Sequence, residues 1–337
     1  MKKAIKLLLF LFVITSIFWL AKIKSNSLQN RSTALSKKKA SDLTLKNKFL
    51  NDIKTGSAQK AYANFKKDYQ AKKYGETHDA AHIFGDALYR TIKLDGVAVC
   101  DSTFGYGCYH SFFAVAISEN GKDVIKKLHA TCLKNFGEKS PPCLHGLGHG
   151  VMYNLGYDKL NQALEECYKL SQAPVGGCSS GVFMEYNFKT MNNNNHSEAK
   201  TRELDQNNPY EPCDKLSAKF QPSCYFEQTQ WWEAVYKSDY KKVGQLCSDL
   251  AGVNKNYCFT GVGNFVSTTL GYDVDKIIAS CSEMPDPQAT ASCSEGASWI
   301  LLGYKGKNDA RKICESLSDG FSEECIKKLK ANSFYKE

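Results

Sequence analysis

No C-x-x-C occurs anywhere in the 337 residues, although the chain carries 14 cysteines. That absence argues against a zinc ribbon and a thioredoxin-like redox site, both of which need the close spacing. C-x-x-C-H is also missing, which argues against covalently attached haem. No RNA- or DNA-binding motif is present, and the aromatic residues sit in helical patterns rather than beside arginines. The net charge of +9 owes much to the N-terminal stretch, where it suits an anionic membrane surface better than nucleic acid. No cysteine precedes Cys100, so there is no lipobox. No small-x-small cleavage site follows the N-terminal apolar run, because Trp19 stands two residues before Ala21.

The cysteines that are present fall into seven pairs. Five pairs read C-x10-C: Cys132 with Cys143, Cys167 with Cys178, Cys213 with Cys224, Cys247 with Cys258, and Cys314 with Cys325. The pair Cys281 and Cys293 is one residue longer, and the pair Cys100 and Cys108 is three shorter. The second cysteine of each pair advances by 35, 35, 46, 34, 35 and 32 residues. A period in the mid-thirties is that of a helix-turn-helix unit stacked into a solenoid. We therefore expect an all-α chain, an α-solenoid of about seven to eight repeats, most stapled by one disulfide within the pair. Each bridge closes a loop of about a dozen residues, worth ~3 kcal/mol in the chain-entropy model. Strict pairing also indicates an oxidising compartment and hence export.

The N-terminus agrees with export. Met1 to Lys6 is short and basic, and residues 7–21 are mostly apolar. That run is short for a spanning helix and right for a signal region, so residues 1–21 read as a signal anchor, or as a cleaved signal peptide. Lys22, Lys24, Arg31 and Lys37 to Lys39 place more positive charge after the run than before it. The positive-inside rule alone would put the body in the cytoplasm; the cysteines outweigh it. The expected location is membrane-anchored through residues 7–21, facing the periplasm or cell exterior, or secreted if the signal is cleaved. Residues 22–42 lack apolar periodicity and read as a flexible basic tether; residues 43–337 form the repeat domain.

One unit shows the pattern. Asp158 to Leu170 has apolar residues at helical spacing, Pro174, Gly176 and Gly177 break it, and Cys178 opens a second helix. Glycine recurs at the third position after the cysteine, at Gly146, Gly181, Gly261 and Gly296. It costs about 1 kcal/mol of helix propensity, a loss that close helix–helix approach would offset. The Leu-Gly-Tyr sequences read as helix stops. Ala58 to Tyr69 and His78 to Arg90 suggest a cysteine-free capping hairpin, and Lys93 to Gly107 is too short and glycine-rich for a full first helix. A polar insertion occupies about 191–208.

In its period, hairpin pattern and paired cysteines from about Leu43 to Leu329, the chain resembles Sel1-like and tetratricopeptide repeat proteins, especially the secreted cysteine-rich kind. Cys143 to His149 also resembles the Cys-x-His-Gly-x-Gly-His segments of uncharacterised exported proteins. The resemblance implies an interaction scaffold. Some cysteine-rich members are linked to penicillin or peptidoglycan fragments, but no Ser-x-x-Lys stands in a convincing setting here, and that activity is not carried over.

Five of the seven histidines occupy equivalent places. His110 and His145 stand second after the pair's second cysteine, and His149 stands sixth. Aligning Glu76 with that cysteine puts His78 and His82 at the same two places. Each H-x3-H shares one helix face, and stacked second helices would line the five along one wall. Neutral imidazoles in this pattern suit Zn, Cu, Ni or Fe, with Asp79, Glu76 and Glu185 as possible carboxylate partners. Otherwise the histidines cap helix starts and bond to backbone. Trp231 and Trp232 are adjacent and cannot both face one core, so one is expected at an inter-repeat seam or exposed as a ligand platform.

The sequence thus points first to a membrane-anchored extracytoplasmic scaffold binding a protein, peptide or cell-envelope ligand in its groove, with Glu185, Trp231 and Trp232 as candidate contacts. Its alternative is a metal-binding protein or metal-dependent enzyme using the histidine cluster. Whether the chain is an enzyme, and which metal it takes, stay open at this level.

Overall fold

The computed structural model describes residues 36–335, apart from residues 102, 172, 174 and 192–201. The expected signal segment, most of the tether, Pro174 and His196 lie outside the described residues. Among the described residues no strand occurs, and no helix is long and apolar enough to cross a membrane.

The helices run in chain order as pairs. A leading helix α1 (36–55) packs on α2 (Ala58–Tyr69) and α3 (Tyr74–Ile92). Then come α4 (Gly107–Asn120), α5 (Val124–Phe136) with α6 (Pro141–Leu155), and α7 (Leu160–Tyr168) with α8 (Cys178–Met191). After α9 (Gln221–Val235) follow α10 (Tyr240–Ser248) with α11 (Gly252–Thr269), α12 (Val274–Ser282) with α13 (Pro287–Tyr304), and α14 (Lys307–Glu315) with α15 (Asp319–Ala331). The helices that carry the second cysteines pack in sequence, α3 on α4, then α6, α8, α9, α11, α13 and α15, with α3 holding the equivalent place in the cysteine-free unit.

Patterning explains the two kinds of helix. α7 buries Leu160, Ala163, Leu164 and Cys167, a one-sided stripe at i, i+3, i+4 and i+7, so its other face meets water. α6 buries every residue from Cys143 to Met152, as an inner helix covered on all sides must. Aspartates 239, 273 and 286 cap their helices by accepting from the backbone N–H three residues on, which fixes the starts of α10, α12 and α13.

Every disulfide forms within its expected pair. Cys100 bonds to Cys108, Cys132 to Cys143, Cys167 to Cys178 and Cys213 to Cys224. In the C-terminal half, Cys247 bonds to Cys258, Cys281 to Cys293 and Cys314 to Cys325. The Cα–Cα separations are 5.3 to 5.7 Å, and no cysteine is free. Cys258 lies within α11, Cys293 within α13 and Cys325 within α15, so these three bridges enter the inner helix one or two turns after its first residue rather than at its start. The reason is that α11, α13 and α15 begin earlier than the cysteine spacing suggests, at Gly252, Pro287 and Asp319. In the other units the bridge ties the end of an outer segment to the first turn of the inner helix, as Cys178 does at the start of α8.

The recurrent Gly181, Gly261 and Gly296 mark backbone crossings between inner helices, while Gly146 packs on the Tyr109 side chain. A Cβ on Gly181 of α8 would lie 1.9 Å from the His145 carbonyl oxygen of α6, and one on Gly148 of α6 would lie 2.0 Å from that of Cys178. Gly263 and Gly296 interlock α11 with α13 in the same reciprocal way.

Several expectations need correction. Residues 36–42 are not tether but the first turns of α1. Buried Phe49, whose ring lies 5.3 Å from Phe65 and 5.1 Å from Phe84, fastens that helix. Lys93–Val99 is a 3-10 helix, and the outer segment before Cys224 shrinks to the single 3-10 turn Cys213–Lys215, after Pro209 and Pro212. α13 runs through Gly303 and stops only before Gly306, at φ 91°.

Trp231 and Trp232 are both buried, at 2 % and 0 % exposure, and neither offers a platform. The inserted segment covers them. The Trp232 indole N–H donates to the Pro209 carbonyl at 2.9 Å, and the Arg202 guanidinium lies 3.8 Å above the Trp231 ring. Arg202 is itself held by Asn187 at 3.0 Å and Gln228 at 3.2 Å.

Candidate metal centre

Three inner helices bring five imidazoles together: His78 and His82 from α3, His110 from α4, and His145 and His149 from α6. Within each H-x3-H the two Nε2 atoms lie 3.1 Å apart. The His110 ring stands 5.5 Å from that of His78 and 5.2 Å from that of His82, and it stacks on His149 at 3.9 Å. His78, His82 and His110 each offer one nitrogen, and these three atoms all lie within 4.8 Å of one another.

Hydrogen bonds fix which nitrogens face inward. His78 Nδ1 is 2.8 Å from the Phe104 carbonyl, which only accepts, so Nδ1 carries the proton and Nε2 presents its lone pair. His149 Nδ1 is 2.9 Å from the Glu185 carboxylate, with the same result, and Glu185 also accepts from the Tyr157 hydroxyl at 3.0 Å. His82 Nδ1 meets the Ser111 hydroxyl at 2.9 Å. His110 is 7 % exposed, and its Nε2 is buried without a hydrogen-bond partner among the described residues. A ring nitrogen so placed loses its hydration and gains nothing from the protein. A coordinated ion would satisfy it, and N···N distances near those observed arise when two nitrogens share an ion at about 2.0–2.1 Å each.

Burial favours the neutral form, the one that binds metal, in His78, His82, His110 and His145. It pushes the His82 pKa down to about 3, with the neighbouring His78 adding to the effect. His78 is lowered mainly by burial, and His110 and His145 fall well below the usual imidazole range for the same reason, with nearby histidines contributing. An all-nitrogen donor set fits Zn, Cu, Ni or Fe and disfavours the oxygen-seeking Mg and Ca.

His78, His82, His110, His149 and Glu185 line one wall of a cavity of about 780 Å³, whose mouth carries Lys38, Asp42, Asp79, Arg90 and Glu119. Of the three carboxylates suggested by the sequence, only Glu185 reaches a histidine. Asp79 pairs with Lys38 at 2.9 Å at the mouth, and Glu76 is exposed. Sequence reasoning missed Ser111, Tyr157 and the Phe104 carbonyl. The last belongs to three consecutive left-handed residues, Phe104, Gly105 and Tyr106, with φ of 57°, 63° and 63°. Two of the three are not glycine, and each such residue costs on the order of 1 kcal/mol. The turn sits inside the loop closed by Cys100–Cys108 and also sets the Tyr106 ring 5.5 Å from His145.

No family model, no curated protein and no solved structure matches the chain.

A second buried titratable group lies on α9. Glu227 occupies the place after the cysteine that holds glycine in four other repeats, and it is 1 % exposed. Burial raises its pKa to about 8, against a hydrogen bond from Ser180 that opposes the shift. Because the folded value exceeds the unfolded one, the folded state holds a proton that the unfolded chain releases. The resulting stability is complete below about pH 4.5 and is lost as pH rises toward 8. Glu227→Gln is therefore expected to gain on the wild type by up to about 1.4 kcal/mol per pH unit across that window. Melting temperatures of the two proteins from pH 5 to 8 check this. The histidines contribute an opposite slope below pH 6.5, common to both proteins, which cancels in the difference. A pH-independent difference would rule out a neutral, buried Glu227.

Proposed function

We propose that this chain is a metal-binding protein carried on a membrane-tethered, extracytoplasmic α-solenoid of about seven to eight helix-turn-helix repeats. The observation that carries the reading is His110, whose Nε2 is buried without a hydrogen-bond partner among the described residues and whose ring offers one nitrogen to a 4.8 Å cluster with His78 and His82. The metal is a Zn, Cu or Fe ion. The seven disulfides support a site outside the cytoplasm, and the apolar run at residues 7–21 supplies the tether to the membrane.

The cavity supports a second element of the proposal. A purely structural ion is enclosed by its ligands, whereas this cluster faces a space of about 780 Å³. That space admits a peptide, protein or cell-envelope ligand, and an ion at its wall with an open coordination position would serve a metal-dependent enzyme.

The test is the metal content of protein made in an oxidising compartment. The wild type is expected to retain at least one transition-metal ion per chain. The His78→Ala/His82→Ala variant should lose at least one and keep its circular dichroism. Loading the stripped wild type should raise its stability by about 4 kcal/mol at a thousandfold excess over Kd, read as a higher melting temperature. A wild type that arrives without metal and takes up neither Zn²⁺, Cu²⁺ nor Fe²⁺ would remove the metal reading and leave a ligand-binding scaffold.

A further inference from the structure

Resting on that reading, we propose that the centre holds two ions: one on His78, His82 and His110, the other on His145 and His149. The usual zinc site takes four ligands at most. His78, His82 and His110 already supply three, as many as an open zinc site takes from the protein. A fourth and fifth imidazole exceed what such an ion needs.

The second pair is also complete as a unit of its own. Its two Nε2 atoms meet at 3.1 Å, the same separation as in the first pair. Its own hydrogen bonds orient it. Glu185 holds the His149 proton on Nδ1 and Tyr157 holds Glu185, while the first pair relies on the Phe104 carbonyl and on Ser111. A carboxylate on the far nitrogen makes an imidazole a stronger ligand. Glu185 belongs to α8, so α3 and α4 build one half of the joined centre while α6 and α8 build the other. The halves are adjacent, since the His110 ring stacks on His149 at 3.9 Å, and two-ion sites hold their metals about 3.5–4 Å apart. With only two histidines on it, the second ion keeps positions for water or for an oxygen- or nitrogen-donor ligand arriving from the cavity.

Zinc titration of stripped protein, followed by metal analysis after desalting, distinguishes the possibilities. We expect two equivalents bound by the wild type and one by His145→Ala/His149→Ala. Glu185→Gln preserves both rings and is expected to weaken one equivalent by 10–100-fold while leaving the other unchanged, which keeps the test open if the double variant misfolds. A wild type saturating at one equivalent would overturn the two-ion proposal while leaving the metal reading intact. Equal weakening of both equivalents by Glu185→Gln would also overturn it. Binding of no zinc, copper or iron would instead remove the metal reading beneath it.

Discussion

Reduction of the seven disulfides is expected to unfold the protein outright. Each bridge spans 8 to 12 residues of sequence, and closing such a loop restricts the unfolded chain by roughly 2.5–3 kcal/mol. Seven together exceed the ~5–15 kcal/mol by which a typical domain is stable at all. The remaining framework is poorly placed to compensate. The outer helices α7, α10, α12 and α14 are nine residues long, too short to persist alone in water. Circular dichroism of protein reduced and alkylated in denaturant, then returned to buffer, should show loss of most helical signal, while the oxidised protein refolds. A reduced, alkylated chain that regains its helices and a similar melting temperature would mean that packing alone holds the fold.

Gly181→Val should be the most damaging single substitution near the centre. Its Cβ would sit 1.9 Å from the His145 carbonyl oxygen and 2.8 Å from the carbonyl carbon. The obstacle is backbone, so no side chain can swing aside; α6 and α8 must separate. Overpacking ordinarily costs about 1–3 kcal/mol, and a forced separation of two buried helices belongs at or above the top of that range. It would also pull His149 from Glu185, whose 2.9 Å contact spans the same two helices, so the proposed metal affinity should fall along with stability. Gly303→Ala is the control. It lies within α13 with nothing inside 4 Å of its Cβ, and should stabilise by about 0.5–1 kcal/mol through helix propensity. Thermal unfolding of both variants should move in opposite directions. An unchanged melting temperature for Gly181→Val would show that the helices do not cross as closely as described.

What could be read from the sequence was local. Cysteines eleven residues apart name their own partners, and apolar spacing marks helices because both signals act within one hairpin. The in-register histidines could be aligned by counting from cysteines. What could not be read depends on segments that return from a distance. Trp231 and Trp232 look impossible to bury together on one helix, until Arg202 and Pro209 from the preceding insertion cover them. Residues 36–42 look like tether because they are polar, yet Lys38 reaches across 41 residues to Asp79. Glu185 was one carboxylate among three; only the crossing of α6 with α8 selects it. The Phe104 carbonyl carries no side-chain signal at all.

The pairing pattern also sets how the chain acquires its covalent structure. In every bridge, a cysteine's partner is the next cysteine along the chain, from Cys100 with Cys108 to Cys314 with Cys325. If the chain is exported as proposed, an oxidase that joins cysteines in the order they emerge would produce the native set, with no bridge needing to be broken and remade. Loops of this size close in well under a microsecond, so the meeting of the two cysteines does not limit bridging and the oxidant sets its pace. Maturation would then be vectorial, with units completed one at a time from the N-terminus. The first inner helices to be sealed would be α4 and α6, which bear His110, His145 and His149.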